Sequence, residues 1–334
     1  MKALVTVLLL LNLIPLLPAP AQEEGDKTKS ERLEKRLRLA DELEAQGDDD
    51  GAVQILGEIF DADPKDTALL ERIVVMQMRN ERFNEAVPRL RQLLELKGGN
   101  EAEHLALARM MVEVKEHETA VEFITESAER FPESADLPFL LTFALGNLER
   151  WDDAVAGFEK TIALAKETKP ELLNEGFYFR YAAAHERNKN VKEAEKLFRK
   201  TLELIKANET SDENPEFTAT VLNYLAYMWI ERGENLDEAG PMAQEAAALS
   251  PDSGAIADTV GWYHFQKGNY PRALVELKKA ERLIEEPDAV ILDHLGQTLA
   301  KLDEKEFAAE YFRKAIELDP ENKELKTRLD ALGE

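Results

Sequence analysis

Small and large apolar positions recur along the chain at a nearly constant spacing, separated by charged residues. An alanine follows a polar turn eight times, at Ala52, Ala86, Ala120, Ala154, Ala194, Ala239, Ala273 and Ala308. The successive spacings are 34, 34, 34, 40, 45, 34 and 35 residues. Another recurring position lies about one helix length before each alanine, and its residue is small in most repeats: Ala40, Val74, Ala108, Thr142, Ala182, Ala226, Gly261 and Gly296. This pattern predicts eight repeats, each made of two antiparallel helices, A and B.

The small residues indicate where the axes of helices A and B approach most closely. Larger side chains at these positions would overpack the contact. A large apolar residue follows most of the alanines by four positions, as Phe312 follows Ala308, and is predicted to pack toward the next repeat. No segment shows the sustained alternation that is typical of a strand. The sequence therefore predicts an all-α chain in which each helix pair stacks on its neighbours.

The last repeat resembles the tetratricopeptide repeat family almost position by position, through Leu295-Gly296, Leu299, Ala308, Phe312, Ala315 and Pro320. The resemblance extends over about Leu33 to Asn322. It implies a right-handed superhelical solenoid of about eight helix-turn-helix repeats. The segment from Asn223 to Gly296 is also similar to the C-terminal part of a group of exported bacterial tetratricopeptide proteins.

The repeat boundaries divide the sequence into six predicted segments. These are a signal peptide (1–21), a charged lead-in expected to be disordered (22–32), repeats one to five (33–206), a polar insertion or loop (207–218), repeats six to eight (219–322) and a polar capping helix (323–334). The insertion, roughly Lys206 to Glu216, is either a surface loop that tolerates changes in length or a hinge between the two halves.

The first residues have the features of a secretory signal peptide. Met1-Lys2 precedes an apolar run that ends at Leu17, and Ala19 and Ala21 have the spacing of a cleavage site. The run is shorter than the roughly 20 residues that cross a bilayer, which favours cleavage over a retained anchor. Because the chain has no Cys, it cannot be a lipoprotein. We expect an exported chain, periplasmic or extracellular in a bacterium.

Charge and composition exclude several functions. The chain has 42 Lys and Arg against 67 Asp and Glu, a net charge of −25. Nucleic acid and anionic membrane surfaces are therefore not expected partners. The five histidines show no metal-ligand spacing, and neither a phosphate-binding loop nor a nucleophile elbow is present. We expect no metal, no cofactor and no enzymatic activity; an enzyme that uses the insertion is the weaker alternative.

The family resemblance implies a concave groove lined by the A helices. The positions that match the groove-lining slots and make candidate binding residues are Phe139, Phe143, Phe179, Asn223, Tyr227, Asp258, Trp262, Phe265 and Asp293. Aromatic side chains would provide contact area, and Asn or Asp would bind an extended backbone or basic side chains. Such aromatic residues could instead be core, and exposure of the rings distinguishes the two possibilities.

The interpretation that follows is a non-catalytic exported scaffold that binds a peptide segment or a partner protein in its groove. The alternative is a self-assembling structural component of a cell-envelope complex. The groove slots hold no lysine, whereas family members that clamp acidic peptide tails use lysine, asparagine and arginine. Acidic ligands are therefore disfavoured.

Overall fold

The structure, a computed structural model, describes residues 24–207 and 214–333, and this part of the chain is helical without any strand. The predicted all-α class is confirmed. No helix in the described ranges is both long enough and apolar enough to cross a membrane. The predicted signal peptide (1–21) lies outside the described residues.

The chain divides into two compact units, Met1–Pro170 and Glu171–Glu334. The helices of the first unit are α1 (Glu24–Ala45), α2 (Asp49–Ala62), α3 (Thr67–Arg79), α4 (Phe83–Lys97), α5 (Glu101–Glu113), α6 (His117–Arg130), α7 (Asp136–Asn147) and α8 (Trp151–Thr168). A short 3-10 turn, Pro170–Leu172, follows. The helices of the second unit are α9 (Glu175–Arg187), α10 (Val191–Ala207), α11 (Pro215–Glu231), α12 (Leu236–Leu249), α13 (Gly254–Gln266), α14 (Tyr270–Leu283), α15 (Ala289–Lys301), α16 (Lys305–Leu318) and α17 (Lys323–Asp330).

Odd-numbered helices from α1 to α15 are the A helices of the eight repeats, and even-numbered helices are the B helices. Each A helix packs on the B helix that follows it, and within each unit each B helix packs on the next A helix. Asparagine or aspartate caps most A helices; Asp288, for example, accepts hydrogen bonds from the backbone N–H groups of Val290 (2.8 Å) and Ile291 (3.0 Å). Such caps satisfy backbone donors that have no partner inside the helix.

The repeat register agrees with the sequence pattern. All eight B-helix alanines are at most 1% exposed. The small A-helix residues are buried as well, from Ala40 in α1 to Gly296 in α15. The small positions therefore lie in the packed interior of each repeat, as the spacing predicts.

The large apolar residue after the alanine also packs inside its own repeat. A methyl group added to Gly296 would lie 2.6 Å from a ring carbon of Phe312, and one added to Gly261 would lie 2.7 Å from Leu277. Phe198 in addition contacts Tyr224 of the next repeat, with 5.9 Å between the ring centroids, as the sequence predicts. The small A-helix residue leaves a recess, and the large B-helix residue of the same repeat fills it.

Helix α1 begins at Glu24 and so includes the described part of the charged lead-in. Its Glu, Lys and Arg residues are good helix formers. At the other end, α17 occupies the predicted capping segment. Its Leu325 is 1% exposed and packs against the apolar cluster of α15 and α16.

The boundary between the two compact units is at the first long spacing, between Pro170 and Glu171. At the second long spacing, α10 ends at Ala207 and α11 begins at Pro215, and residues 208–213 lie outside the described residues. The division into repeats one to five (33–206) and six to eight (219–322) remains a prediction.

Candidate functional site

A cleft of about 380 Å³ lies on the A-helix side of the second unit. We call it the A-helix cleft. Its lining comes from the A helices of repeats five to eight: Glu186 and Arg187 of α9, Asn223, Tyr224, Tyr227 and Met228 of α11, Ala255, Asp258 and Thr259 of α13, and Asp288, Val290 and Ile291 at the start of α15. Four successive A helices thus contribute to one concave surface.

Half-buried aromatic rings adjoin this cleft. Tyr224 and Phe179 meet edge to face with their ring centroids 5.2 Å apart, and Phe217 meets Phe179 in the same way at 5.5 Å. Tyr227 follows Tyr224 on the same helix, and its ring is also only partly buried. Rings in this intermediate environment retain apolar surface that a ligand can cover.

Trp262 and Phe265, two predicted groove residues, form a stack behind the cleft. Trp262 is 5% exposed; its ring stacks on Phe265 at 4.2 Å and on His294 at 3.9 Å. By the criterion of ring exposure, Trp262 belongs to the packing between α13 and α15 in this structure. Its indole Nε1 is buried without a hydrogen-bond partner.

Asp258 and His294 form a buried pair at the base of the cleft. His294 Nδ1 lies 2.9 Å and 3.1 Å from the two carboxylate oxygens of Asp258. The side chain of His294 is 3% exposed and that of Asp258 is 6% exposed. On the other side of the imidazole, Nε2 lies 3.9 Å from the Glu231 carboxylate. Asp258 therefore lines the cleft but already has a partner.

The surroundings of His294 favour its charged form. Burial by itself lowers the pKa of the imidazole, but the carboxylates of Asp258, Glu231 and Asp293 outweigh burial and leave the pKa above its ordinary value. The imidazolium can then donate its Nδ1 proton to Asp258, and the charge-assisted bond holds α13 to α15.

We expect this pair to make stability depend on pH. A raised native-state pKa means that the stabilisation by His294 is complete below its unfolded pKa of about 6.5 and is lost as pH rises through the raised value. Urea unfolding between about pH 6 and pH 9 measures this slope. The variant His294→Gln should lack this component of the slope. An identical slope in both proteins would contradict the assignment.

Asp293, another predicted groove residue, is held by its own neighbours. Its Oδ2 accepts hydrogen bonds from Arg328 Nη1 of α17 at 2.6 Å and from Gln297 at 3.0 Å. Burial raises the pKa of its carboxyl, against the opposing effects of Arg328 and His294. Asp293 therefore joins α15 to α17 through Oδ2, while its Oδ1 is buried without a hydrogen-bond partner.

Three acidic side chains surround the hydroxyl of Tyr227. Burial, reinforced by the carboxylates of Glu231, Asp258 and Asp288, raises its pKa. The side-chain oxygen of Asn223 is buried nearby on the same helix and has no hydrogen-bond partner. The cleft therefore combines an unsatisfied acceptor with negative charge.

The other predicted site residues, Phe139 and Phe143, belong to α7 in the first unit. Their rings meet edge to face at 5.1 Å and are partly buried. Of the nine predicted residues, the structure brings Asn223, Tyr227 and Asp258 into the lining of one cleft and places Phe179 beside it.

Sequence reasoning missed Tyr224, Glu231, Asp288 and His294. A signal for Glu231 exists, since Asn223, Tyr227 and Glu231 follow one another at four-residue steps on a single helix face. His294 could be identified as a site residue only from its contact with Asp258 in the structure, because the two residues are 36 positions apart in the sequence.

Comparison with known proteins agrees with this architecture. Residues 289–322 match the Tetratricopeptide repeat family. The TPR repeat-containing protein PA4667 of Pseudomonas aeruginosa is 34% identical over 79 residues, which are 24% of this chain and 13% of that protein. The chain thus matches a small part of that relative.

Two solved structures show the fold across most of the chain. A chain of the APC/C hetero-tetramer Cut9-Hcn1 is 14% identical with a TM-score of 0.58, and the match covers 90% of this chain and 55% of that one. Acl4, the assembly chaperone of RpL4, is 16% identical with a TM-score of 0.53, covering 70% and 95%.

The resemblance to the tetratricopeptide repeat family is confirmed. Each of the two units is built from helix-turn-helix repeats, and residues 289–322 match one tetratricopeptide repeat.

Proposed function

We propose that this chain is a non-catalytic, exported scaffold that binds an extended segment of a partner protein in the A-helix cleft. The observation that carries the proposal is the cleft itself, where four successive A helices present partly buried tyrosines to one concave space. Asn223 also lines this cleft, and its buried side-chain oxygen has no hydrogen-bond partner. Buried polar atoms normally have partners, so a ligand that supplies a donor would satisfy this oxygen.

The dimensions and chemistry of the cleft fit a peptide. A volume of about 380 Å³ holds a few side chains rather than a whole domain. Tyr224 and Tyr227 offer apolar surface, while Asn223 can accept a hydrogen bond from the backbone N–H of an extended segment. The names of both solved structures also refer to partner proteins: one is a hetero-tetramer and the other is an assembly chaperone.

Export and the class of partner are part of the same proposal. The apolar run before Ala19 and Ala21 supports secretion, in the periplasm or outside the cell. The net charge of −25 supports a protein or peptide partner rather than nucleic acid or an anionic membrane surface.

Self-assembly into a cell-envelope complex is the second candidate. The exposed apolar side chains Val275 (63%) and Phe307 (58%), on B helices α14 and α16, are a surface that copies of the chain could share. Light scattering across a range of concentrations distinguishes this candidate, because a scaffold for peptides remains monomeric without its partner.

Peptide binding is tested by selecting peptides that bind the chain and then measuring their affinity for a variant in which the cleft is filled. A random dodecapeptide phage library is selected on the mature chain, and the affinity of the enriched peptides is measured by calorimetry. Ala255 lines the cleft on an exposed part of α13, so Ala255→Trp fills the cleft from an exposed position. We expect this variant to weaken binding by about a hundredfold.

Ala248→Trp is the matched control. Ala248 is also an exposed helical alanine of the second unit, but it lies on B helix α12 and does not line the cleft. Its peptide affinity should equal that of the wild type. If the selected peptides bind both variants equally well, or if the selection enriches no peptide, the cleft is not a peptide-binding site.

A further inference from the structure

We infer that the A-helix cleft selects its segment by one large apolar side chain, which packs on Ala255 and Val290 at the α15 end of the cleft. We call this end of the cleft the apolar subsite. The inference rests on the proposed function and specifies the chemistry of the partner. The partner is an extended segment with a leucine, isoleucine, methionine or phenylalanine as its anchor and no acidic residue beside that anchor.

Val290 is an exception among the equivalent positions of the eight repeats. It lies six residues before Gly296, the small A-helix residue of its repeat. The residues at the same distance before the small position of the other repeats are all small or polar: Glu34, Ala68, Ala102, Asp136, Gly176, Thr220 and Ala255. A large apolar side chain at this position is therefore not explained by the packing that the repeats share.

The packing of α15 leaves Val290 to the cleft. The neighbouring Ile291 is 4% exposed and belongs to the apolar cluster of α15 and α16, whereas Val290 lines the cleft and is 48% exposed. Ala255, at the same position of the preceding A helix α13, is also exposed in the lining and carries only a methyl group. Apolar surface in such a concave place is stabilised when another apolar group covers it.

The polar side chains at this end of the cleft already have partners within the chain. The two carboxylate oxygens of Asp258 lie 2.9 Å and 3.1 Å from His294 Nδ1. The Thr259 hydroxyl donates a hydrogen bond to the backbone carbonyl of Ala255 at 3.0 Å, and Asp288 Oδ1 caps α15 through two backbone N–H groups. A polar ligand group would lose its water here without gaining these partners, whereas an apolar group has no hydrogen bond to lose.

The charge of the lining narrows the partner further. The cleft is lined by three carboxylates, Glu186, Asp258 and Asp288, and by one arginine, Arg187. An acidic residue beside the anchor would be repelled, whereas a neutral or a basic residue would be accepted. The volume of about 380 Å³ is also enough for an anchor and its neighbours on one segment.

The test compares peptides selected on the wild type and on two valine variants. Val290→Asp places a charge in the apolar subsite, and an acidic residue in the first turn of α15 is compatible with the helix. Val275→Asp is the matched control, because Val275 is 63% exposed on B helix α14 and does not line the cleft. The same dodecapeptide phage library is selected on all three proteins, and affinities are measured by calorimetry.

We expect the peptides from the wild type and from Val275→Asp to share one large apolar position, and the peptides from Val290→Asp to lack it. Alanine at that position of the enriched wild-type peptide should weaken its binding to the wild type by about thirtyfold. The same change should cost no more than about threefold on Val290→Asp, because this variant has already lost the contact. A glutamate placed beside the anchor should also weaken binding to the wild type.

Val290→Thr repeats the test without an added charge. It replaces one methyl group by a hydroxyl, so it should weaken the enriched wild-type peptide in the same direction by a smaller factor. Circular dichroism measures the helix content of each variant. Should Val290→Asp lose helix content, the comparison of Val290→Thr with Val275→Thr decides the question.

The other outcomes overturn the inference. If Ala255→Trp blocks the selected peptides but these share no apolar position, the proposed function stands and the inference fails. The inference also fails if Val275→Asp removes the shared position as well, or if the alanine peptide loses the same factor on the wild type and on Val290→Asp, since the anchor would then lie elsewhere. If no selected peptide depends on the cleft, the proposed function itself fails.

Discussion

Replacing Phe312 with alanine is expected to lower the free energy of unfolding by about 4 kcal/mol. The Phe312 ring is 2% exposed and fills the recess above Gly296, so its removal leaves a cavity between α15 and α16. The loss combines the transfer of the ring from water and the lost contacts around the cavity. Urea unfolding followed by circular dichroism measures the change.

Phe307→Ala is the matched control, because Phe307 lies on the same helix but is 58% exposed. Its cost should stay within about 0.5 kcal/mol of zero. Equal costs for the two variants would show that α16 does not face its repeat as described here. They would also remove the basis for the repeat register in the second unit.

Replacing Asp258 with alanine is expected to cost about 3 kcal/mol, because it leaves His294 buried without its main partner. The stacking of Trp262 on the imidazole would lose its fixed geometry as well. The measurement is a double-mutant cycle in urea with Asp258→Ala, His294→Ala and the two together.

The second substitution in this cycle should cost clearly less than it does alone, since the first has already broken the pair. Additive costs would mean that the two side chains do not stabilise each other. In that case the contact between α13 and α15 would depend on the apolar side chains around it.

The sequence was sufficient to predict the repeat architecture, for a steric reason. A small side chain avoids overpacking where helices A and B approach, so the spacing of Ala52, Ala86 and their equivalents marks positions that are buried in the structure. The contact of Phe312 with Gly296 in its own repeat was not predictable in the same way. It depends on the depth of the recess at Gly296, which is a property of the assembled pair.

The site was predictable in part. Asn223, Tyr227 and Asp258 line the cleft as their positions on the A helices suggested. The pairing of Asp258 and Asp293 with basic side chains could not be predicted. Their partners, His294 and Arg328, come from the next A helix and from α17. Pairing across repeats decides which carboxylates remain free, and no local pattern in the sequence encodes it.

The account depends most on the claim that the A-helix face of the second unit, and not its B-helix face, receives the partner. Photo-crosslinking tests this claim directly: benzoylphenylalanine is placed at position 255 or at position 248, and each protein is irradiated with the peptide that the wild type selects. A peptide adduct at position 255 and none at position 248 is the predicted result. An adduct that forms equally at both positions, or only at position 248, would contradict the account.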